Sequence, residues 1–165
     1  MDFMRTEAHI DSPLPDFLCH LKSLGVIRLT GEEAAKYLQG QVTADINLLD
    51  GNTALLACHC DFKGKTWNIG YLVGDQNEIT LICHQQAIVA SLAELKKYGV
   101  FAKTEIDDIS EQVQIVGGSG NAFVQALQST LGDLPDAAMQ ATTSATNSVI
   151  CLDTPSQRYL AVLDA

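Results

Sequence analysis

Apolar and polar residues trade places along this chain with two different periods, and the change of period predicts its elements. Val26-Ile-Arg-Leu29 is a short apolar run that predicts a strand. Ala34, Ala35, Tyr37 and Leu38 then recur at helical spacing and predict a helix over 31–39. Thr30 and Glu33 stand three apart ahead of that stripe, the spacing of a capping box. Gly40 weakens the helix, and Thr43-Ala-Asp45 leaves it as a polar loop. Asp50-Gly51 marks a turn. Three strands follow as a predicted antiparallel meander over 53–60, 66–73 and 78–83. Strict alternation of Trp67, Ile69, Tyr71 and Val73 defines the middle one and assigns Trp67 to the core face. Asp61-Phe-Lys-Gly-Lys65 and Gly74-Asp-Gln-Asn77 are the links, short enough only for antiparallel neighbours. Ile88, Val89, Leu92 and Leu95 share one face of a predicted helix over 86–98, with Gly99 as its cap. Val100 to Ile106 reads as a further strand.

A weak internal repeat appears next. Val26-Ile-Arg-Leu-Thr-Gly31 precedes one helix, and Val113-Gln-Ile-Val-Gly-Gly118 precedes another that ends near Leu131. Gly132 and Pro135 stop that second helix. Residues 136–147, rich in Ala, Thr and Ser, read as a linker. Ser148-Leu152 and Arg158-Leu163 read as strands joined through Thr154-Pro155. The organisation expected is an N-terminal arm over 1–19, a first subdomain over 20–107, and a partial second subdomain over 108–165 that lacks a closing helix.

Two blocks make the pattern specific. They hold Thr30-Gly31, Tyr37-Leu-Gln-Gly-Gln41 and Thr43-Ala-Asp45, then His59-Cys-Asp61, Lys63-Gly-Lys65, Trp67 and Leu95-Lys-Lys-Tyr98. In order and spacing the chain resembles the N-terminal part of the YgfZ family, folate-binding proteins related to the aminomethyltransferase (T-protein) of the glycine cleavage system. The family's Lys-Gly-Cys-Tyr-x-Gly-Gln-Glu signature is absent, so the resemblance implies part of a longer protein or a truncated relative. It implies an α+β fold of the folate-binding, aminomethyltransferase-like type: an antiparallel sheet with helices, in duplicated subdomains, the second incomplete. It also implies a tetrahydrofolate-binding accessory protein that supports maturation or repair of iron–sulfur enzymes, and the tRNA modification that depends on them. Two alternatives stay open. One is a folate-dependent aminomethyltransferase; the other is a non-enzymatic Cys/His metal or redox module.

By that resemblance, Asp45 faces the reactive nitrogens of folate, where a carboxylate makes charge-assisted hydrogen bonds. Lys63 and Lys65 would meet the glutamate tail, and Trp67 offers a stacking face. The block reads Thr-Ala-Asp here rather than the Thr-Asn-Asp of the transferases, which removes an amide and argues against catalysis. Leu24 stands where some relatives have a tryptophan, so it can pack on a pterin but cannot stack.

Charge narrows the partners. The net charge is −10, with only ten Lys and Arg residues, and they are scattered. Direct nucleic-acid binding needs clustered cations against phosphates, so none is expected. No apolar run reaches the ~20 residues of a membrane span. An acidic N-terminus and five cysteines predict a cytoplasmic protein with reduced thiols. Cys58-His-Cys60 and Cys83-His84 have metal-binding residue types. On a strand, however, Cys58 and Cys60 share a face that His59 does not, and no C-x-x-C spacing occurs, so no metal site is expected.

Overall fold

The computed structural model describes residues 16–144, 147–152 and 158–165. Residues 1–15 of the predicted arm and the Thr154-Pro155 link lie outside the described residues. Ten strands form two antiparallel sheets of five among those described. The first sheet contains β2 (Leu24–Thr30), β3 (Leu55–Cys60), β4 (Thr66–Gly74), β5 (Glu78–His84) and β6 (Glu105–Asp108). Its order is β3-β4-β5-β2-β6. The second contains β1 (Phe17–His20), β7 (Val113–Ser119), β8 (Ala141–Ser144), β9 (Asn147–Leu152) and β10 (Arg158–Asp164). Its order is β8-β9-β10-β7-β1. Both are a three-stranded meander with the preceding strand laid beside its last member.

The sheets pack face to face. Val26, Val73 and Ile82 from the first interlock with Ile115, Ile150, Leu160 and Val162 from the second. Helices cover the outer faces. Ala34–Gln39 (α1) and Gln85–Gly99 (α2) lie on the first sheet, burying Leu38, Ile88 and Leu95 against Ile27, Leu29 and Leu81. Tyr37 Oη donates to the Leu95 carbonyl at 2.6 Å and ties α1 to α2. Asn121–Leu131 (α3) lies on the second sheet through Phe123 and Leu127. The result is four layers, α–β–β–α, an α+β fold in which both faces of each sheet meet apolar partners over part of their length.

Four local expectations need correction. The capping box does not form: α1 begins at Ala34, with Glu33 as a cap residue that makes no capping hydrogen bond. Glu33 Oε2 instead accepts from the Lys103 amide at 3.0 Å. Gly31 sits at φ 130, where a Cβ would strike the Lys103 carbonyl, so the chain enters the helix through a glycine-only bend. Residues 100–104 are a turn rather than a strand: Val100 is 71% and Phe101 93% exposed, and pairing starts only at Glu105. The expected linker contains a strand, β8, whose Ala141 to Ser144 pairs with β9. Finally, Phe17–His20 is not part of a loose arm but the edge of the second sheet, paired with β7.

The alternation in β4 has the predicted period, but both faces are used: Tyr71 and Val73 meet the second sheet, and Leu72 meets the helices. Asn68, Gly70 and Leu72 face the helices and Ile69 is 60% exposed on the other side, while the register shift between His59 and Cys60 takes the half-buried Trp67 out of that alternation. Only Tyr71 and Val73 on that side reach the second sheet. The β3–β4 hairpin therefore projects beyond its partner sheet. Leu72→Ala should cost about 2–5 kcal/mol in urea unfolding. Ile69→Ala should change stability by no more than about 0.5 kcal/mol. A reversed ranking would put Ile69 in the core.

Candidate functional site

The projecting hairpin and the exit from α1 share a border. After Gly40 the chain runs along β3 as an extra edge. Cys60 N donates to the Gln41 carbonyl, Thr43 N to the Cys58 carbonyl, and Cys58 N to Thr43 Oγ1, each at 3.0 Å. Gln39 reaches over this exit, its Oε1 accepting from Ile46 N at 2.7 Å. Asp45 follows and begins a short 3-10 helix, Ile46–Leu48. Its Oδ1 accepts from Asn47 N at 3.1 Å and from Asn47 Nδ2 at 2.9 Å. The exposed Asp45 is thus held in one pose by the turn it caps.

The hairpin tip is built on Asp61. Its Oδ1 accepts from Lys63 N at 2.8 Å and Lys65 N at 2.9 Å, and Gly64 takes φ 80 to close the turn. Lys65 Nζ then lies 4.5 Å from the centre of the Trp67 ring, a cation–π contact, while Lys63 Nζ lies 5.5 Å from that of Phe62.

A cleft of about 400 Å³ opens beside this tip. Cys60, Asp61, Phe62 and Trp67 form one wall, and Gly40 and Gln41 form the end near α1. Glu94, Lys97 and Tyr98 of α2 form the opposite wall, with His59 beneath. Hydrogen bonding to Tyr98, then the Glu94 carboxylate, pushes the Lys97 ammonium pKa up. His59 is only 1% exposed and belongs to a buried polar chain. Asn68 Nδ2 donates to Ser91 Oγ, which lies 2.8 Å from His59 Nδ1. The imidazole tautomer sets which of Ser91 Oγ and His59 Nδ1 donates in this bond. Burial pushes the His59 pKa down, and the Glu94 carboxylate partly opposes that shift. Asn68 Oδ1 has no hydrogen-bond partner.

Of the four predicted residues, Trp67 lines the cleft, and its role moves from packing to surface. Lys63 and Lys65 stand on the tip beside it. Asp45 lies past Thr43 on the edge segment and is not among the lining residues. The sequence reading missed Ser91, Asn68 and the α2 wall. Only the Leu95-Lys-Lys-Tyr98 block pointed to that wall. Among the described residues no group of three or more His, Cys, Asp or Glu side chains is placed to hold a metal ion. Burial, with Asp108 adding to it, pushes the Cys83 thiol up to about 11. It is therefore protonated at neutral pH. No helix among the described residues is long and apolar enough to cross a membrane.

Known proteins place this architecture. No protein-family model matches the chain. It is 36% identical over 152 residues to the tRNA-modifying protein YgfZ of Colwellia psychrerythraea, and 37% identical over 151 residues to that of Photorhabdus laumondii. The chain is similar to YgfZ over nearly all of its own length. The matches cover 92% of it but only 47% and 46% of those relatives, so it spans about half their length. Among solved structures it superposes on the glycine cleavage system aminomethyltransferase T of Bartonella henselae with a TM-score of 0.76 at 15% identity. That match covers 92% of this chain and 43% of the other. Heterotetrameric sarcosine oxidase of Corynebacterium sp. U-96 follows at a TM-score of 0.59 and 14% identity, covering 90% of this chain and 75% of that one. These likenesses establish the aminomethyltransferase-like fold.

The depressed His59 pKa has a pH consequence. Unfolded, the imidazole titrates near 6.5; folded, it titrates lower. The unfolded state therefore binds more protons between the two values, and stability falls as pH drops through 6.5 toward the folded pKa. Urea unfolding at pH 7.5 and 5.5 should show this loss, and His59→Gln should show a smaller one. Ser91→Ala strands the partners of a fully buried hydroxyl and should cost about 1–3 kcal/mol at pH 7.5.

Proposed function

We propose that this chain is the tetrahydrofolate-binding half of a YgfZ-type accessory protein. In this reading it works in the cytoplasm and supports iron–sulfur enzymes and the tRNA modifications that depend on them. The observation that carries the proposal is 35–37% identity, over nearly all of the chain, to proteins named for tRNA modification. An aminomethyltransferase-like fold supports a folate ligand. The acidic surface argues that any effect on tRNA runs through partner enzymes rather than direct contact.

In this proposal Asp45 binds the pterin end. It is exposed and fixed in pose through Oδ1 alone, so Oδ2 is available to accept from a ligand N–H. Lys63 and Lys65 attract the anionic tail, and the half-buried Trp67 gives an aromatic face on the same hairpin. Ala44 turns its side chain into the core under α1, where a transferase would carry an amide. That favours binding over aminomethyl transfer.

Calorimetry with tetrahydrofolate tests the reading. A polypeptide extended to the length of the relatives should bind it with a Kd in the micromolar range, and the 165-residue chain at least tenfold more weakly. Asp45→Ala should weaken the extended form tenfold or more, about 1.4 kcal/mol. Absence of heat in both forms would refute the folate assignment.

A further inference from the structure

Asp45 sits between two peptide groups, and one side chain is bonded to both. The peptide before it carries the Ala44 carbonyl, and the peptide after it carries the Ile46 N–H. Gln39 Nε2 donates to the Ala44 carbonyl at 3.4 Å, and Gln39 Oε1 accepts from Ile46 N at 2.7 Å. Each peptide is a rigid plane, so the two soft dihedrals of Asp45 are the only freedom between them. Holding both planes to one amide fixes those dihedrals, at φ −80 and ψ 103, and with them the direction of the Cα–Cβ bond. The Asn47 contacts act on the far end of the side chain, where Oδ1 accepts from Asn47 N and Nδ2. Backbone and carboxylate are therefore held by separate bonds.

Gln39 and Asp45 are both exposed. A long exposed side chain keeps its rotamer freedom unless something orders it, and ordering it opposes folding. Core packing does not account for the pose of Gln39. The start of a helix leaves donors such as the Ile46 N–H open, and water satisfies them at a surface. The bond to the Ala44 carbonyl lies outside the short 3-10 helix and adds nothing to it. That helix has its own anchors: Ile46 and Leu49 are buried, and Gln76 Nε2 donates to their carbonyls at 3.3 and 2.9 Å. Those bonds leave the two peptides beside Asp45 to Gln39. What Gln39 adds is a fixed direction for an exposed carboxylate.

We propose that Gln39 is a positioning residue for Asp45. Its amide holds the carboxylate in the pose that receives the N–H groups of the pterin, so that this ordering precedes binding instead of opposing it. The inference deepens the folate reading of Asp45 and rests on it.

Calorimetry with tetrahydrofolate tests it, on whichever form of the protein binds more tightly in the preceding test. Gln39→Met keeps the length of the side chain and loses both bonds. It should weaken binding about fivefold or more. In an Asp45→Ala background the same substitution should change affinity by less than about twofold, because the group it orients is gone. Gln76→Met leaves both peptides of Asp45 pinned and should also change affinity by less than about twofold. In the ligand-free protein, NMR should show the Ile46 amide exchanging at least about tenfold faster in Gln39→Met, with the amides of Ile27 and Leu81 unchanged. Equal weakening by Gln39→Met in both backgrounds overturns the proposal, since the amide would then act on the fold and not through Asp45. Full affinity in Gln39→Met, a loss in Gln76→Met as large as that in Gln39→Met, or unchanged exchange at Ile46 overturns it too. Binding that Asp45→Ala leaves intact refutes the folate reading of Asp45 itself, and this inference falls with it.

Discussion

The apolar layer between the two sheets is the interaction on which the rest of this structure depends. Val26, Val73 and Ile82 meet Ile150, Leu160 and Val162 there, all of them nearly or fully removed from water. Each such side chain contributes about 1.5–3 kcal/mol on burial. Neither sheet can be stable with that face exposed, so the two repeats fold against each other rather than separately. The layer also fixes what is left uncovered. The second sheet spans only the Tyr71–Val73 end of β4, and the hairpin bearing Trp67 and Lys65 therefore overhangs.

That overhang is where the candidate chemistry gathers. A hairpin tip held by one aspartate, an edge segment tied to β3 and the last turns of α2 enclose a cleft of mixed character. Beneath it the buried His59–Ser91–Asn68 chain replaces what would otherwise be apolar packing between β3, β4 and α2. Buried polar groups of this kind cost stability unless each is satisfied, and Asn68 Oδ1 is not. A local conflict of that sort marks functional ground more often than structural ground.

Periodicity made most of the architecture legible, and its failures have identifiable causes. Strands β3, β4, β5, β9 and β10 and the helices over 85–99 and 121–131 follow from alternation, helical spacing and glycine punctuation. Along β4, alternation alone does not say how far a partner covers each face: Val73 is in the core and Ile69 is exposed. The strand's two sides meet helices on one hand and a partial sheet on the other. Thr30 and Glu33 have the local spacing of a capping box, but Glu33 finds the Lys103 amide across the fold, and tertiary context overrides the local motif. Val100 and Phe101 looked like strand residues because apolar side chains are read as buried, and these two are exposed. The short polar strand β8 carries no alternating signal. Ser91 and Asn68 are unremarkable in sequence, and only folding brings them to His59. The family blocks, by contrast, contain the residues of the hairpin tip and the edge segment.

Native-state hydrogen exchange addresses the central claim, that the inter-sheet layer makes one cooperative unit of both repeats. Amides of β2 and β5 in the first sheet, and of β7 and β10 in the second, should exchange through a common opening with a single free energy and a single dependence on denaturant. The β1 amides paired with β7 should be the first of the second sheet to open, as an edge does. Two separate opening free energies, one for residues 24–108 and another for 113–164, would show that the repeats fold independently and that the layer between them is not what holds the structure together.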